Sequence, residues 1–424
     1  MEMKVSGKAN RLKTTGLVKY MVDRYYADLK RAREHGRLIC WCIGPAPFEP
    51  LMAMDIAFLH GENYGAYAAA RKGERELKEA AEADAFSPDV CSYARITNGC
   101  ALLGERGAPP NMARPDMLMP KPDLLFGTNP CPTMTNWFDS LRRFYNVPSF
   151  MVDIPFVYHE SEYEDALAHV VRQLEDFHTF LEGVTGRRFD YERLKQIVWY
   201  VRKAAEVRKE CLDMGKHIPS PVSCFDWFIS LAPINIVRGG AESVDYFVKV
   251  KEELQERLAN GVSSVPDEKY RLYWDQIAIW FKVGALADKF AAMGACVVAA
   301  TYTHAMFYAD PELVDPEKPL RAMAERVISE YIPRSLDWRI NTIIKYVQDY
   351  SVDGLIMHSP RTCRPMDIGQ YDIIDAVARR VGVPGMVLEA DHSDPNYYSE
   401  AQVDTRLQAF IEMLEARKRP RRQV

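Results

Sequence analysis

Apolar positions recur along this chain with two different periods, and the switching between them divides it. Leu17, Val18, Met21, Val22, Tyr25 and Leu29 share one helical face, which Gly36 closes. The run Leu38-Ile-Cys-Trp-Cys-Ile43 is unbroken and of strand length, and Gly44-Pro-Ala-Pro-Phe-Glu-Pro50 ends it. A helix is expected next through Leu51, Met54 and Phe58, then a charged, solvated helix over 67–83. Ser87-Pro-Asp-Val-Cys91 has the form of a cap, a first-position proline and a cysteine in the first helical turn. Further strands are expected at 124–127, 149–153, 269–274, 296–302, 354–358 and 384–390. Most are continuous apolar runs, which suits parallel strands buried on both faces. Over 160–260 helical stripes replace them, such as Leu167, Val170, Val171, Leu174, Phe177 and Leu181.

The pattern predicts an α/β protein: two small parallel-sheet units, Rossmann- or flavodoxin-like, joined by a helical segment. The boundaries expected are 1–36 for an N-terminal helical segment and 37–158 for a first α/β unit with Cys91 and Cys131. A helical segment over 159–265 and a second α/β unit over 266–424 with Cys363 complete the division. At 424 residues, more than one unit is what a hydrophobic core of ordinary size requires.

Composition removes some classes of function. An apolar fraction of 48% and a charged fraction of 27% are those of an ordinary soluble protein. A formal charge of -5 gives no basic face for nucleic acid; the one basic cluster is Arg417, Lys418, Arg419, Arg421 and Arg422. The stretch 290–309 is uncharged, but its Thr301, Thr303 and His304 suit a helix end plus a buried strand better than a membrane span. With no apolar leader and nine cysteines, an odd number, a reducing cytoplasm is expected.

No dinucleotide-binding or P-loop glycine pattern occurs, so no gripping of a dinucleotide and no ATP hydrolysis is expected of this chain. Cys40, Cys42, Cys211, Cys224 and Cys296 fall in strand or helix cores and suit buried structural thiols. Cys91, Cys131 and Cys363 differ, standing at helix starts or in loops after strands. The segments carrying Cys131 and Cys363 repeat one plan of strand, cysteine loop and helix, and loops after parallel strands are where open α/β folds put their chemistry. Spacings of 40 and 232 residues match no local metal motif. Three thiolates would suit an iron–sulfur cluster or zinc, and redox thiols are a further option.

Several segments, in order, carry a resemblance. They include Asp89-Val-Cys-Ser-Tyr-Ala-Arg95, Thr128-Asn-Pro-Cys131 leading to Trp137-Phe138, and Glu268-Lys-Tyr-Arg271. Tyr302-Thr-His304, Met357-His-Ser-Pro-Arg-Thr-Cys-Arg364, and Asp394-Pro395 followed by Tyr398-Ser-Glu-Ala-Gln402 add to it. Over nearly its whole length the chain resembles the component shared by (R)-2-hydroxyacyl-CoA dehydratases and ATP-dependent benzoyl-CoA reductases, most closely a dehydratase alpha subunit. The resemblance implies a [4Fe-4S] cluster on Cys91, Cys131 and Cys363 with one open iron, in the cleft between the α/β units. It also implies a homologous second subunit with its own cluster, a separate ATP-dependent iron–sulfur activator, and an acyl-CoA substrate. No nucleic acid and no membrane enter the scheme.

The reaction so implied removes water from a 2-hydroxyacyl-CoA through a ketyl radical, because the β-hydrogen is scarcely acidic until an electron is added. Glu62, in His60-Gly-Glu-Asn-Tyr64, matches a family acid and is the proton-transfer candidate. His358 and His304 follow expected strands and are candidates for hydrogen bonds to the thioester or the departing hydroxyl. They also favour the dehydratase over the reductase branch. Where related subunits can carry a hydroxyl side chain, this chain has Gly44. A non-catalytic two-domain binding protein is the alternative from another class.

Overall fold

The computed structural model describes residues 7–418. Arg419, Arg421 and Arg422 of the basic cluster lie outside the described residues. Two four-stranded, all-parallel sheets form the frame. The first has the order β2-β1-β3-β4, from β1 (Ile39–Ile43), β2 (Ala57–His60), β3 (Leu124–Thr128) and β4 (Ser149–Val152). The second repeats that order as β6-β5-β7-β8, from β5 (Tyr270–Asp275), β6 (Ala295–Ala300), β7 (Gly354–Pro360) and β8 (Gly385–Ala390). In each sheet the chain leaves the central pair in opposite directions, which opens a crevice at the carboxyl ends of those strands. The α/β class expected from the apolar pattern is the one found.

Strands β1, β3, β5 and β6 are buried along their whole length, which suits the unbroken apolar runs of β1 and β6. Helices Tyr163–Thr185, Tyr191–Met214 and Ala241–Ala259, with the short helices Cys224–Ile229 and Leu231–Asn235, form the long helical stretch. Phe177, from the stripe at 167–181, stacks on Phe126 of β3 with ring centroids 3.9 Å apart. The helical stretch therefore shares one apolar core with the first sheet, and that core continues into Leu272, Trp274 and Ile356 of the second. Among the described residues no helix is long and apolar enough to cross a membrane. The uncharged stretch resolves into the end of helix Val283–Ala292, strand β6 and a short turn of helix at Thr301–His304.

Three local expectations need correction. The helix expected through Phe58 stops at Ala53, because Asp55 takes a left-handed conformation (φ 56°) and Ala57 to His60 pair with β1 as a strand. The helix expected over 67–83 is two, Gly61–Ala70 and Arg75–Ala83, broken where Lys72 has φ 57°. The second is not solvated throughout: Leu77, Lys78 and Ala81 are buried against helix Ser92–Arg106. Gly99 makes that approach possible, since a Cβ there would sit 1.7 Å from the Leu77 carbonyl oxygen. Finally, Cys91 caps helix Ser92–Arg106 instead of lying within its first turn.

Candidate functional site

All three singled-out cysteines stand at the position just before a helix. Cys91 precedes Ser92–Arg106, Cys131 precedes Pro132–Tyr145, and Cys363 precedes the short helix Arg364–Asp367. Proline in the first turn of the latter two fixes their starts. Cys131 follows β3 and Cys363 follows β7, the strands at equivalent places in the two sheets. With Cys91 they line one cavity of about 70 Å³ between the carboxyl ends of the sheets. Its other walls include Pro45, which follows β1, Ile277, which follows β5, and Glu62, Trp137, Tyr302 and Glu330. A second cavity of about 450 Å³ shares His60, Glu62, Tyr93, Tyr302 and Phe307 with the first and reaches exposed Lys19.

Burial pushes the Cys91 thiol up to about 12, while the Ala94 and Tyr93 N–H groups pull the other way. Burial likewise raises Cys131 against the N–H groups of Met134 and Thr133. Cys363 is held well above the ordinary thiol range by burial, and its nearness to Cys91 and Cys131 adds to this. A helix start favours a thiolate, but at Cys91 desolvation outweighs that effect. Three thiols that repel one another's charge in a buried cavity ionise together only opposite a cation, and their N–H donors suit metal-bound sulfur. Among the described residues no three His, Cys, Asp or Glu side chains are arranged to hold a single metal ion.

Asp391, at the end of β8, ties the loops of two of these cysteines together. It accepts hydrogen bonds from Ser92 Oγ (2.7 Å), Thr362 N (3.1 Å) and Thr362 Oγ1 (2.5 Å), besides the backbone N–H groups of Ser393 and Asp394 (2.9 Å each). Ser92 follows Cys91 and Thr362 precedes Cys363. Buried His392 stands 2.8 Å from Ser92 Oγ and 3.8 Å from Cys91 Sγ. No local signal in the sequence marks Asp391 or His392, because their partners are nearly 300 residues away in the chain.

Glu62 lies in the first turn of helix Gly61–Ala70 and is buried, facing the cysteine cavity. His60 Nε2 stands 3.0 Å from Glu62 Oε2 and 3.1 Å from the Gly44 carbonyl oxygen. Nε2 bonds to the Gly44 carbonyl and so is the nitrogen that donates, while Nδ1 faces the Asn235 amide at 3.3 Å; Glu62 Oε2 has no hydrogen-bond partner among the described residues. Gly44 has φ +83°, and a Cβ there would lie 2.4 Å from Thr128 Oγ1 and 2.7 Å from the Thr128 carbonyl. Glycine is thus what this backbone admits.

His304 and His358 are buried, but neither lines the cavity with the cysteines. His304 Nδ1 lies 2.8 Å from Thr303 Oγ1, and its ring packs against Tyr346 and Tyr350. His358 Nδ1 donates to the Ile277 carbonyl at 2.6 Å, behind the cavity wall that Ile277 forms. Burial lowers His304 to about 3 and His358 to about 4, so both rings are neutral near pH 7.

The family model described as "2-hydroxyglutaryl-CoA dehydratase, D-component" matches residues 44–414. The chain is 28% identical to the lactoyl-CoA dehydratase alpha subunit of Anaerotignum propionicum, over 96% of this chain and 97% of the relative. It is 28% identical to the (R)-2-hydroxyisocaproyl-CoA dehydratase alpha subunit of Clostridioides difficile, over 94% and 95%. To a benzoyl-CoA reductase subunit of Thauera aromatica it is 29% identical, over 96% of both.

Proposed function

The chain belongs to the 2-hydroxyglutaryl-CoA dehydratase D-component family, and on that premise we propose that it is the iron–sulfur, alpha-type subunit of a (R)-2-hydroxyacyl-CoA dehydratase. The observation that carries this is the convergence of Cys91, Cys131 and Cys363, each at a helix start, on one buried cavity between two sheets. These three thiolates would hold the [4Fe-4S] cluster, leaving one iron open. When bound, the cluster would supply a low-potential electron to the thioester carbonyl of the substrate, giving the ketyl radical from which water can leave.

The rest falls to side chains. Glu62 accepts the β-proton on a carboxylate whose Oε2 is free of hydrogen bonds and lies 3.0 Å from His60 Nε2; His60 is itself held by Gly44 and Asn235. Trp137, Ile277, Met306, Phe307 and Ile332 make the cavity wall apolar and keep water from the radical. The larger cavity, joined to the first along Glu62, Tyr93 and Tyr302, admits the acyl-CoA. A homologous second subunit with its own cluster and an ATP-dependent iron–sulfur activator complete the system. Their place is the cytoplasm, where nine free cysteines stay reduced.

The near-equal identity to the benzoyl-CoA reductase relative supports a second reading, an ATP-dependent aromatic-CoA reductase. His304 and His358 do not separate the two, since neither reaches the cavity. Reductant use does: a dehydratase needs only catalytic reductant, whereas a reductase consumes two electrons per turnover.

Iron and sulfide content of anaerobically purified protein tests the assignment. Cys91→Ser, Cys131→Ser and Cys363→Ser should each deplete both, while Cys211→Ser, altering a thiol buried among helices, should not. Wild-type protein free of iron would remove the basis of the enzyme reading and favour the binding protein.

A further inference from the structure

The cavity holds a second buried carboxyl that the family-based reading leaves without a role. Glu330 follows helix Pro319–Ile328 and is 1% exposed, yet among the described residues neither of its carboxyl oxygens meets a well-formed hydrogen-bond donor, the Phe307 N–H being only near enough to act on it weakly. Such a group, buried in an apolar wall, is costly to keep unless it has work to do there. It lines the same cavity as Glu62, Cys91, Cys131 and Cys363.

The charges around it come from four elements. Arg326, on the preceding helix, donates through Nη1 to the Pro45 and Ala46 carbonyls, while its Nη2 stands 3.6 Å from Glu330 Oε1, an ion pair longer than a hydrogen bond. Arg238 lies farther off, paired with Glu49 at 2.6 Å. Glu62 faces it from helix Gly61–Ala70, and Tyr302 lines the same cavity from the turn after β6. Burial raises the Glu330 carboxyl; Arg326, the Phe307 N–H and Arg238 work against this, and Glu62 adds to the rise. Tyr302 is pushed up by burial and then by Glu62 and Glu330, which puts its hydroxyl within the influence of both carboxyls. Two carboxyls facing one cavity in unlike surroundings, Glu62 beside His60 and Glu330 more deeply buried beside Arg326, can divide acid and base work between them.

We infer that Glu330 is a catalytic residue of this cavity, the acid that protonates the departing 2-hydroxyl while Glu62 takes the β-proton. This rests on the dehydratase reading. As the C2–O bond breaks, its electron pair goes to oxygen and the Glu330 proton makes it water. The C3–H bond then breaks, its proton passing to Glu62 and its electrons forming the C2–C3 double bond. The electron lent to the carbonyl is returned, so one water is lost and none of the reductant is consumed. Return of the proton from Glu62 to Glu330 across the cavity resets the site.

A leaving group that needs no proton tests the role. The anaerobic complex with its partner subunit, activator and ATP is offered lactoyl-, 2-hydroxyisocaproyl- and phenyllactyl-CoA, then the 2-chloro analogue of whichever reacts fastest. Chloride departs unprotonated. Glu330→Gln should lose roughly 10²- to 10⁴-fold in kcat on the hydroxy substrate, and fall only a few-fold on the chloro analogue. Glu62→Gln should be impaired on both. Equal loss by Glu330→Gln on both substrates, or loss on neither, overturns the acid role. So does depletion of iron in Glu330→Gln and Glu330→Asp with the fold intact by circular dichroism, which would give Glu330 to cluster binding. If the iron-loaded wild-type complex eliminates neither water nor chloride, the dehydratase reading itself fails and takes this role with it. Activity on both with an insensitive Glu330→Gln rejects the acid role alone.

Discussion

Replacing Asp391 should loosen the joint between the two α/β units. Its carboxylate is fully buried and accepts from Ser92, Thr362, Ser393 and Asp394, so one side chain spans the loops of Cys91 and Cys363. In Asp391→Ala the Ser92 hydroxyl keeps His392 as a partner at 2.8 Å, and the Thr362 hydroxyl is free to turn. The N–H groups of Thr362, Ser393 and Asp394 have no such freedom. Each buried donor left unpaired costs about 1–3 kcal/mol. These costs do not add fully, so a total of about 3–5 kcal/mol is expected, within the range for breaking a buried charged network. A second route gives a compatible figure for the charge alone. Burial opposes ionisation of Asp391, but His392 and the donors of Thr362, Ser92 and Ser393 outweigh it and hold the group at about 2, against 3.8 ordinarily. At about 1.4 kcal/mol per pH unit, that gap is worth roughly 2–3 kcal/mol. The folded value lies below the unfolded one, so this contribution is present above pH 3.8 and is lost as pH falls through about 2. Anaerobic urea unfolding by tryptophan fluorescence should show a midpoint shift of that size for Asp391→Ala, with Asp391→Asn in between. Ser92→Ala and Thr362→Val, combined in a double-mutant cycle, should couple by about 0.5–3 kcal/mol, since they share one acceptor. A shift below about 0.5 kcal/mol for Asp391→Ala, or an uncoupled cycle, would refute the idea that this carboxylate joins the loops.

The neutral buried histidines predict acid sensitivity of a different kind. With His358 at about 4 in the fold against 6.5 when exposed, the unfolded chain binds the extra proton, so stability is whole above pH 6.5 and declines by about 3 kcal/mol towards pH 4. His358→Gln should flatten the dependence of urea midpoint on pH in that window. At Gly44, alanine meets both a left-handed backbone and the Thr128 hydroxyl and carbonyl. Gly44→Ala should lower stability by about 2–5 kcal/mol, and Thr128→Ala should restore only part of it, because the backbone carbonyl remains; thermal melts of the three variants check this.

Much of the frame was legible from the apolar pattern, because a strand buried on both faces must be apolar along its length. Seven of the eight strands among the described residues fall where apolar runs of strand length were expected. The missed one, β2, is four residues long, and only a left-handed Asp55 separates it from the helix before it. The strand–cysteine–helix plan pointed to Cys131 and Cys363, whereas Cys91 came from an expected place in a first helical turn together with the family resemblance. Glu62 could not be told from an exposed loop carboxylate until helix Gly61–Ala70 turned it inward.

What the sequence determined by itself is local: which runs are apolar enough to be strands, where proline and glycine force breaks, and which cysteines sit at those breaks. Which residues meet was decided by the tertiary structure. Asp391 reaches Ser92 across 299 positions, and Glu330 faces Glu62 across one cavity. His304 and His358, in the same motifs as cavity residues, are turned behind its wall. Side chains alternate across a strand and rotate around a helix, so one or two positions decide whether a group enters the cavity or the core. That direction is fixed by the packing of one sheet against the other, which no short stretch of the chain contains.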